Sequence, residues 1–200
     1  MAGHRSSIGL LVATGIFFAL YPMLRPYSSE VGIDGADALG SPLWVAAHTS
    51  AMLGFIALAL AVRAMRAGAV AETTTWIGVG LVLPYYGAET FALNALGTKA
   101  VDTGDYPLLD LAEPIRNGPV QMVMFGAGLI LVAVGVVAVA RGIGSWQAYV
   151  FAAGFVLFLP QFYAPPALRV AHGLLIVIGA ALLAASRLPA RQEISTMTGA

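Results

Sequence analysis

The chain has 200 residues, of which 59% are hydrophobic and only 10% are charged, and its mean hydropathy is +0.84. Soluble proteins carry roughly a quarter charged residues, so this composition indicates an integral membrane protein. Ten basic residues balance ten acidic ones, which excludes a global positive field and, with it, a nucleic-acid partner. The chain has no cysteine, so disulfides, thiolate metal sites and thiol nucleophiles are excluded.

Six stretches of the chain are apolar and long enough to span a bilayer, which takes about 20 residues. They are 8–24, 43–62, 74–96, 119–140, 146–163 and 167–186. We therefore predict an all-helical bundle of six transmembrane helices in the cell membrane. It forms one domain over 1–190, followed by a disordered cytoplasmic tail over 191–200.

The basic residues beside these segments predict the orientation of the chain. If the segments alternate in direction, the side that holds both termini carries Arg5, Arg63, Arg66, Arg141, Arg187 and Arg191. The opposite side carries Arg25, Lys99 and Arg116, and Arg169 is left out of the count as a membrane-edge residue. Because basic residues stay preferentially in the cytoplasm, we predict that both termini are cytoplasmic.

Two longer loops lie on the outer side. The loop 26–42 contains three glycines among acids and serines, which predicts turns. In the loop 102–116, leucines and an isoleucine alternate with acids, which predicts a short amphipathic helix on the outer membrane face. A solvated loop without regular structure is the alternative for this second stretch.

A weak internal repeat relates the second and sixth segments. Val45-Ala46-Ala47-His48 and Arg169-Val170-Ala171-His172 are each followed, fifteen residues after the histidine, by an arginine. With a matching glycine and proline in the first and fifth segments, this pattern predicts a duplicated helical hairpin, helices 1–2 and 5–6. Chance similarity among apolar helices is the alternative.

Three ionisable residues stand out within the predicted spans: His48, Glu89 and His172. Each costs roughly 2.5 to 3.5 kcal/mol to insert, so each suggests a partner or a function. Counted from the outer helix ends, all three lie about 8 to 10 Å deep. We therefore predict one site in which Glu89, His48 and His172 are catalytic, in a pocket near the outer face.

Further polar residues share this outer half and are predicted to bind the ligand: Arg169, Tyr85, Tyr86 and Gln121. Arg169 is one helical turn before His172, and the two tyrosines lie about one turn before Glu89. We also predict that Glu89 and Arg169 form an ion pair, which can coexist with a role in the site. Structural alternatives are that this pair only joins two helices, that the histidines only bond across helices and that the tyrosines only pack.

The leading functional hypothesis is a site for a lipid-soluble small molecule, with a carboxyl and an imidazole that move a proton on it. Isomerisation, cyclisation and quinone chemistry are compatible with such a site. The sequence has no phosphate-binding loop, nucleophile elbow, zinc-protease motif or calcium loop, which argues against ATP-driven and protease chemistry.

Three alternatives remain open. His48 and His172 could be the two axial ligands of haem b, with Arg169 near a propionate. A metal held by His48, Glu89 and His172 is a variant of the first hypothesis, although no metal-binding motif is present. A small transporter or a membrane scaffold is the third. The expected partners are the lipid bilayer and a lipid-soluble molecule, and a homo-oligomer is compatible with the sequence.

Overall fold

A computed structural model describes residues 2–188 of the chain, and its side chains from residue 6 onward. Within this part the chain is helical, with no strand. The helices are α1 Ala2–Leu24, α2 Gly32–Gly40, α3 Pro42–Ala64, α4 Ala69–Gly87, a π-helix Ala88–Ala92, α5 Leu93–Thr103, a 3-10 helix Tyr106–Leu111, α6 Ala112–Asn117, α7 Pro119–Ile143, α8 Trp146–Val156, α9 Phe158–Gln161 and α10 Pro166–Ser186. The predicted tail, 191–200, lies outside the described residues.

Four helices in the described part are long and apolar enough to cross a membrane: Ser6–Leu24, Pro42–Ala64, Pro119–Ile143 and Pro166–Ser186. They correspond to four of the six predicted spans. The other two predicted spans differ in form. α4 has a glutamate and three threonines among its first seven residues, and α8 has only 11 residues before the turn at Leu157.

Local signals set the ends of the long helices. Ser41 caps α3 by accepting a hydrogen bond from the Trp44 amide at 3.1 Å, and Pro42 occupies the first turn, where its missing N–H costs nothing. Ser145 caps α8 in the same way. Gly144 ends α7 at a φ of 72°, a conformation that glycine adopts without a steric penalty.

Six helices pack side by side in a closed ring, in the order α1, α3, α4, α7, α8, α10 and back to α1. Small residues allow the close approaches. At the contact of α4 with α7, a Cβ atom on Gly78 would lie 2.7 Å from the carbonyl oxygen of Gly128, so only glycine fits there. Close packing through small residues is the usual way in which helices associate in lipid.

Aromatic side chains fill the centre of the ring. Phe18 meets Phe55 and Phe158 with ring centroids 4.8 and 5.2 Å apart. Phe55 in turn meets Tyr86 at 5.6 Å, and Tyr86 meets Phe125 at 6.0 Å. Edge-to-face and tilted pairs at these distances are favourable, so helices distant in sequence share one aromatic core.

A second, smaller apolar cluster lies at one end of the ring. It is formed by α2, α5, the 3-10 helix and α6, which we call the cap, and by the start of α3; its buried residues are Ala36, Leu39, Trp44, Leu93, Ala100, Leu109 and Ala112. The prediction of turns over 26–42 is therefore wrong for Gly32–Gly40, because this segment gains a helix by packing on α5.

The helix that leads into the cap is unusually long. α4, the π-helix and α5 follow one another without a break from Ala69 to Thr103. At ~1.5 Å per residue this continuous helix is about 50 Å long, well beyond the ~30 Å of a hydrocarbon core. Its α5 portion, which carries Lys99 and Asp102, therefore extends past the apolar part of the ring and holds the cap in place.

Candidate functional site

A cavity of about 250 Å³ opens at the cap end of the ring. It lies between the ends of α1, α3, α7 and α10, the π-helix and the α8–α10 connection. Its wall consists of Tyr21, Arg25, His48, Tyr85, Tyr86, Glu89, Arg116, Asn117, Met122, Phe125, Gly126, Leu159, Phe162, Tyr163 and Arg169. Five of the seven predicted site residues therefore line one cavity: His48, Glu89, Tyr85, Tyr86 and Arg169.

Glu89 enters the cavity from the π-helix. In a π-helix each backbone carbonyl accepts a hydrogen bond from the N–H five residues later, instead of four residues later as in an α-helix. Such turns occur often at functional sites. The Trp44 indole N–H donates to the Glu89 carbonyl at 2.6 Å. This bond ties the distorted turn to the start of α3.

The Glu89 carboxylate is held by Arg116. The Arg116 Nε donates to Oε1 at 2.6 Å, and its Nη2 donates to Oε2 at 3.0 Å, a bidentate arrangement typical of strong arginine–carboxylate pairs. The expected pairing of Glu89 with Arg169 is thus not formed. Arg169 instead donates to the carbonyls of Ala164 and Phe162, which lie on its own side of the cavity.

The ion pair continues outward through a second carboxylate. Glu30 accepts hydrogen bonds from Arg116 and, at 2.5 Å, from Arg25. Burial by itself would raise the pKa of Glu30, but the charges of Arg116 and then Arg25 outweigh it and hold that pKa below its usual value. Burial likewise opposes the charge on Arg116, yet Glu89 and Glu30 raise its pKa above the usual value.

His48 lies on the inner side of Glu89 and is almost fully buried. Its Nδ1 is 2.8 Å from the Trp44 carbonyl oxygen. Because a carbonyl only accepts, Nδ1 carries the proton and donates it. In the neutral ring, Nε2 then has a free lone pair, and it lies 3.8 Å from Glu89 Oε2, too far for a hydrogen bond.

Tyrosine and phenylalanine rings form the remainder of the wall. Tyr85 stacks on Phe125 with ring centroids 4.1 Å apart. The Tyr86 side chain is buried, and its hydroxyl makes no hydrogen bond of ordinary geometry within residues 2–188. Tyr21 is its neighbour, and a buried hydroxyl without a well-formed hydrogen bond is costly; this one belongs to a residue that lines the cavity.

Two predicted site residues lie elsewhere. His172 Nε2 is 2.6 Å from the Gly154 carbonyl oxygen, and His172 lines a separate cavity between α9 and α10. Gln121 donates to the Pro114 carbonyl at 3.2 Å and lines a groove behind Tyr85. Equal depth did not bring His172 together with His48 and Glu89, because the face of α10 that carries His172 lines a different cavity.

The residues do not fit a bis-histidine haem. The Nε2 atom of His172 is held by a backbone carbonyl, and the two histidines line different cavities, so they cannot face one iron from opposite sides. The proposed metal trio fails for the same reason. Among the residues that the structure describes, no group of three His, Cys, Asp or Glu side chains could hold a metal ion.

Sequence reasoning missed Arg116, Arg25, Glu30 and Tyr21 as site residues. Arg116 is 27 positions from Glu89 and comes from the cap, whose packing on the ring brings it there. The available signal was the presence of Arg25 and Arg116 on the side where basic residues are few. No protein-family model, curated protein or solved structure matches this chain.

Proposed function

We propose that this chain is a multi-pass membrane protein whose cap-end cavity binds a lipid-soluble small molecule and exchanges a proton with it. The observation that carries the proposal is the composition of the cavity wall. Aromatic and apolar side chains line it together with a buried His48–Glu89 pair. Mostly apolar pockets with a few convergent polar groups are the usual form of small-molecule sites.

Binding is supported by two features of the wall. Phe125, Phe162, Leu159 and the Tyr85 ring offer an apolar surface on which a ring-bearing or unsaturated molecule can pack. The Tyr86 hydroxyl, which makes no hydrogen bond of ordinary geometry with the neighbouring Tyr21, can donate one to a ligand. We therefore expect a ligand with an oxygen atom that reaches this hydroxyl.

Proton exchange is assigned to His48. Its Nε2 lone pair can accept a proton from an acidic O–H or C–H group of the ligand, and the Glu89 carboxylate 3.8 Å away would then stabilise the imidazolium. Glu89 is not assigned as the base, since Arg116 binds both of its oxygens. Isomerisation, cyclisation and quinone reactions are of this type. His172 has no role in this proposal.

We also propose that all six segments of the ring cross the membrane, α8 together with α9, and that both termini are in the cytoplasm. α4 and α8 pack lengthwise between helices that are apolar enough to span, which supports six crossings. The sequence bias of basic residues, six on the side of the termini against three on the other with Arg169 left out as a membrane-edge residue, supports the orientation. The hairpin repeat stays a prediction, and its two histidines have different hydrogen-bond partners.

The test is to fill the cavity and ask whether a bound molecule is lost. Gly126 lines the cavity on α7, and nothing lies within 4 Å of a Cβ atom added there. Gly126→Phe therefore inserts a ring without a backbone clash. Gly142→Phe is the matched control, because its Cβ position on the same helix is equally open and lies at the other end.

The three proteins are extracted from the bilayer in a neutral detergent and compared by native mass spectrometry. We expect a small-molecule adduct on the wild type and on Gly142→Phe, and its loss from Gly126→Phe. An adduct that Gly126→Phe retains in full would contradict binding in this cavity.

A further inference from the structure

The cavity carries one positive charge more than its own carboxylates neutralise. Three guanidinium groups line it, those of Arg25, Arg116 and Arg169, while the two carboxylates in contact with them are Glu30 and Glu89. Both carboxylates are already bound by Arg25 and Arg116. The unmatched charge is that of Arg169, which has no carboxylate within ion-pair distance in the part of the chain that the structure describes.

Arg169 is held in place without being neutralised. Its Nε donates to the Ala164 carbonyl at 2.9 Å, and its Nη2 donates to the Phe162 carbonyl. A guanidinium has five N–H donors in a planar fork, so further donors remain for an anion. Backbone carbonyls fix the orientation of the group, and orientation is what a bidentate contact with a carboxylate or phosphate requires.

The surroundings of Arg169 are amphipathic. Tyr163, with 83% of its surface exposed, lies at the cavity mouth beside it. Phe162, Phe125 and Leu159 continue the wall inward as an apolar surface. A small inorganic anion would leave this surface without contacts, whereas a molecule with an apolar body and one charged end would cover it.

We propose that the cavity is selective for an amphiphile that carries a single negative charge, and that Arg169 binds the charged group. This inference rests on the proposed function and specifies its ligand class. One negative charge matches the excess of three cations over two anions. The same chemistry could come from a free amphiphile with a carboxylate or from an anionic lipid of the bilayer.

The experiment compares two probes with the same chain and different charge, oleate and oleyl alcohol. Specific binding is the difference between wild-type and Gly126→Phe protein in a neutral detergent. We expect oleate to bind the wild type at least about tenfold more tightly than oleyl alcohol, because a charge-assisted hydrogen bond contributes this much or more. Arg169→Gln should remove that preference and keep the binding of oleyl alcohol, which also reports that the variant is folded.

Arg141→Gln is the matched control, an exposed arginine at the opposite end of the ring, and it should keep the preference for oleate. Equal binding of the two probes by the wild type, or an unchanged preference in Arg169→Gln, would overturn the inference while the proposed function stands. Failure of both probes to bind specifically would overturn the proposed function too.

A final arm separates the two sources of the ligand. Wild-type protein is placed in bilayer discs of phosphatidylcholine, alone or with phosphatidylglycerol, and oleate binding is measured in each. Competition by phosphatidylglycerol that Arg169→Gln abolishes would support the inference with a bilayer lipid as the ligand. Oleate binding that phosphatidylglycerol leaves unchanged would support it with a free amphiphile.

Discussion

Hydrogen-bond partners assign opposite tautomers to the two described histidines. His48 uses Nδ1 toward the Trp44 carbonyl, and His172 uses Nε2 toward the Gly154 carbonyl. Since each carbonyl accepts, the proton is on Nδ1 in His48 and on Nε2 in His172. Only the His48 tautomer leaves an Nε2 lone pair facing the cavity, which is the form that a base needs.

These tautomers predict different ¹⁵N NMR spectra for the rings of His48 and His172. In protein labelled with ¹⁵N-histidine at about pH 8, above the ordinary histidine pKa of about 6.5, we expect an Nδ1–H ring for His48 and an Nε2–H ring for His172, beside the signal of the third histidine, His4. The first signal should disappear in His48→Gln, and the second in His172→Gln. A doubly protonated His48 at this pH, or an Nε2–H tautomer, would contradict its proposed role as a base.

A second prediction at the scale of single residues concerns the ion pair between Glu89 and Arg116. Glu89 exposes only 7% of its side chain and Arg116 17%. Breaking a buried pair from one side leaves an uncompensated charge, so Glu89→Gln and Arg116→Gln should each lower the free energy of unfolding by about 3–5 kcal/mol. The double variant should recover part of the loss, because Glu30 keeps Arg25 as its partner.

A matched pair for comparison exists at the opposite end of the ring. Arg63 and Glu72 approach to 3.8 Å but expose 69% and 40% of their side chains, so their double-mutant cycle should give less than about 1 kcal/mol. Thermal unfolding in detergent measures both cycles. Strictly additive losses at Glu89 and Arg116 would mean that the ion pair does not form.

At the scale of elements, the cap depends on the contact of α2 with α5. A Cβ atom on Gly97 would lie 2.7 Å from the backbone carbon of Leu39, and backbone cannot move aside as a flexible side chain can. We expect Gly97→Ala to destabilise the cap by about 1–3 kcal/mol through overpacking, despite the better helix propensity of alanine. Gly80→Ala is the control, since nothing lies within 4 Å of its Cβ position.

Hydrogen–deuterium exchange of the backbone amides measures this effect locally. Gly97→Ala should accelerate exchange in Gly32–Gly40 and Leu93–Thr103, while Gly80→Ala should leave both segments unchanged. Because Arg116 reaches Glu89 from the cap, loosening the cap should also weaken oleate binding. Unaltered exchange in Gly97→Ala would mean that the two helices are not in close contact.

The predictability of the fold follows from which interactions are local. Apolar runs of about 20 residues identified the four long helices to within a few residues, because a spanning helix satisfies its own backbone. The helix Gly32–Gly40 was missed, since a glycine- and aspartate-rich segment becomes helical only by packing on α5. Helices were therefore predicted correctly where hydropathy determines the structure, and missed where a tertiary contact determines it.

The same distinction applies to the site. The insertion cost of a charge identified His48 and Glu89, which do line one cavity. Depth alone could not distinguish His172, because depth says nothing about which way a helix face points. No local sequence pattern could predict Arg116 as a site residue, since its place beside Glu89 depends on how the 3-10 helix and α6 fold back onto the ring.

At the scale of the whole molecule, the number of membrane crossings determines on which side of the membrane the cap and its cavity lie. Four helices meet the length and hydropathy of a span, while α4 and α8 complete the ring between them. If α4 did not cross, the chain after it would emerge on the side where α4 begins. Its packing between α3 and α7 in the ring is the reason why we propose six crossings.

Single cysteines distinguish the two topologies, because the chain has none of its own. Ser29→Cys and Ala69→Cys report the orientation of α1 and α3, and we expect an impermeant thiol reagent to label only Ser29→Cys in intact cells. Asp110→Cys and Gly142→Cys report α4 and α7. Six crossings with cytoplasmic termini predict labelling at Asp110→Cys and protection at Gly142→Cys until the membrane is permeabilised. Four crossings would exchange these last two results and leave the first two unchanged, so this pair of variants decides whether the cap and its cavity face the outside.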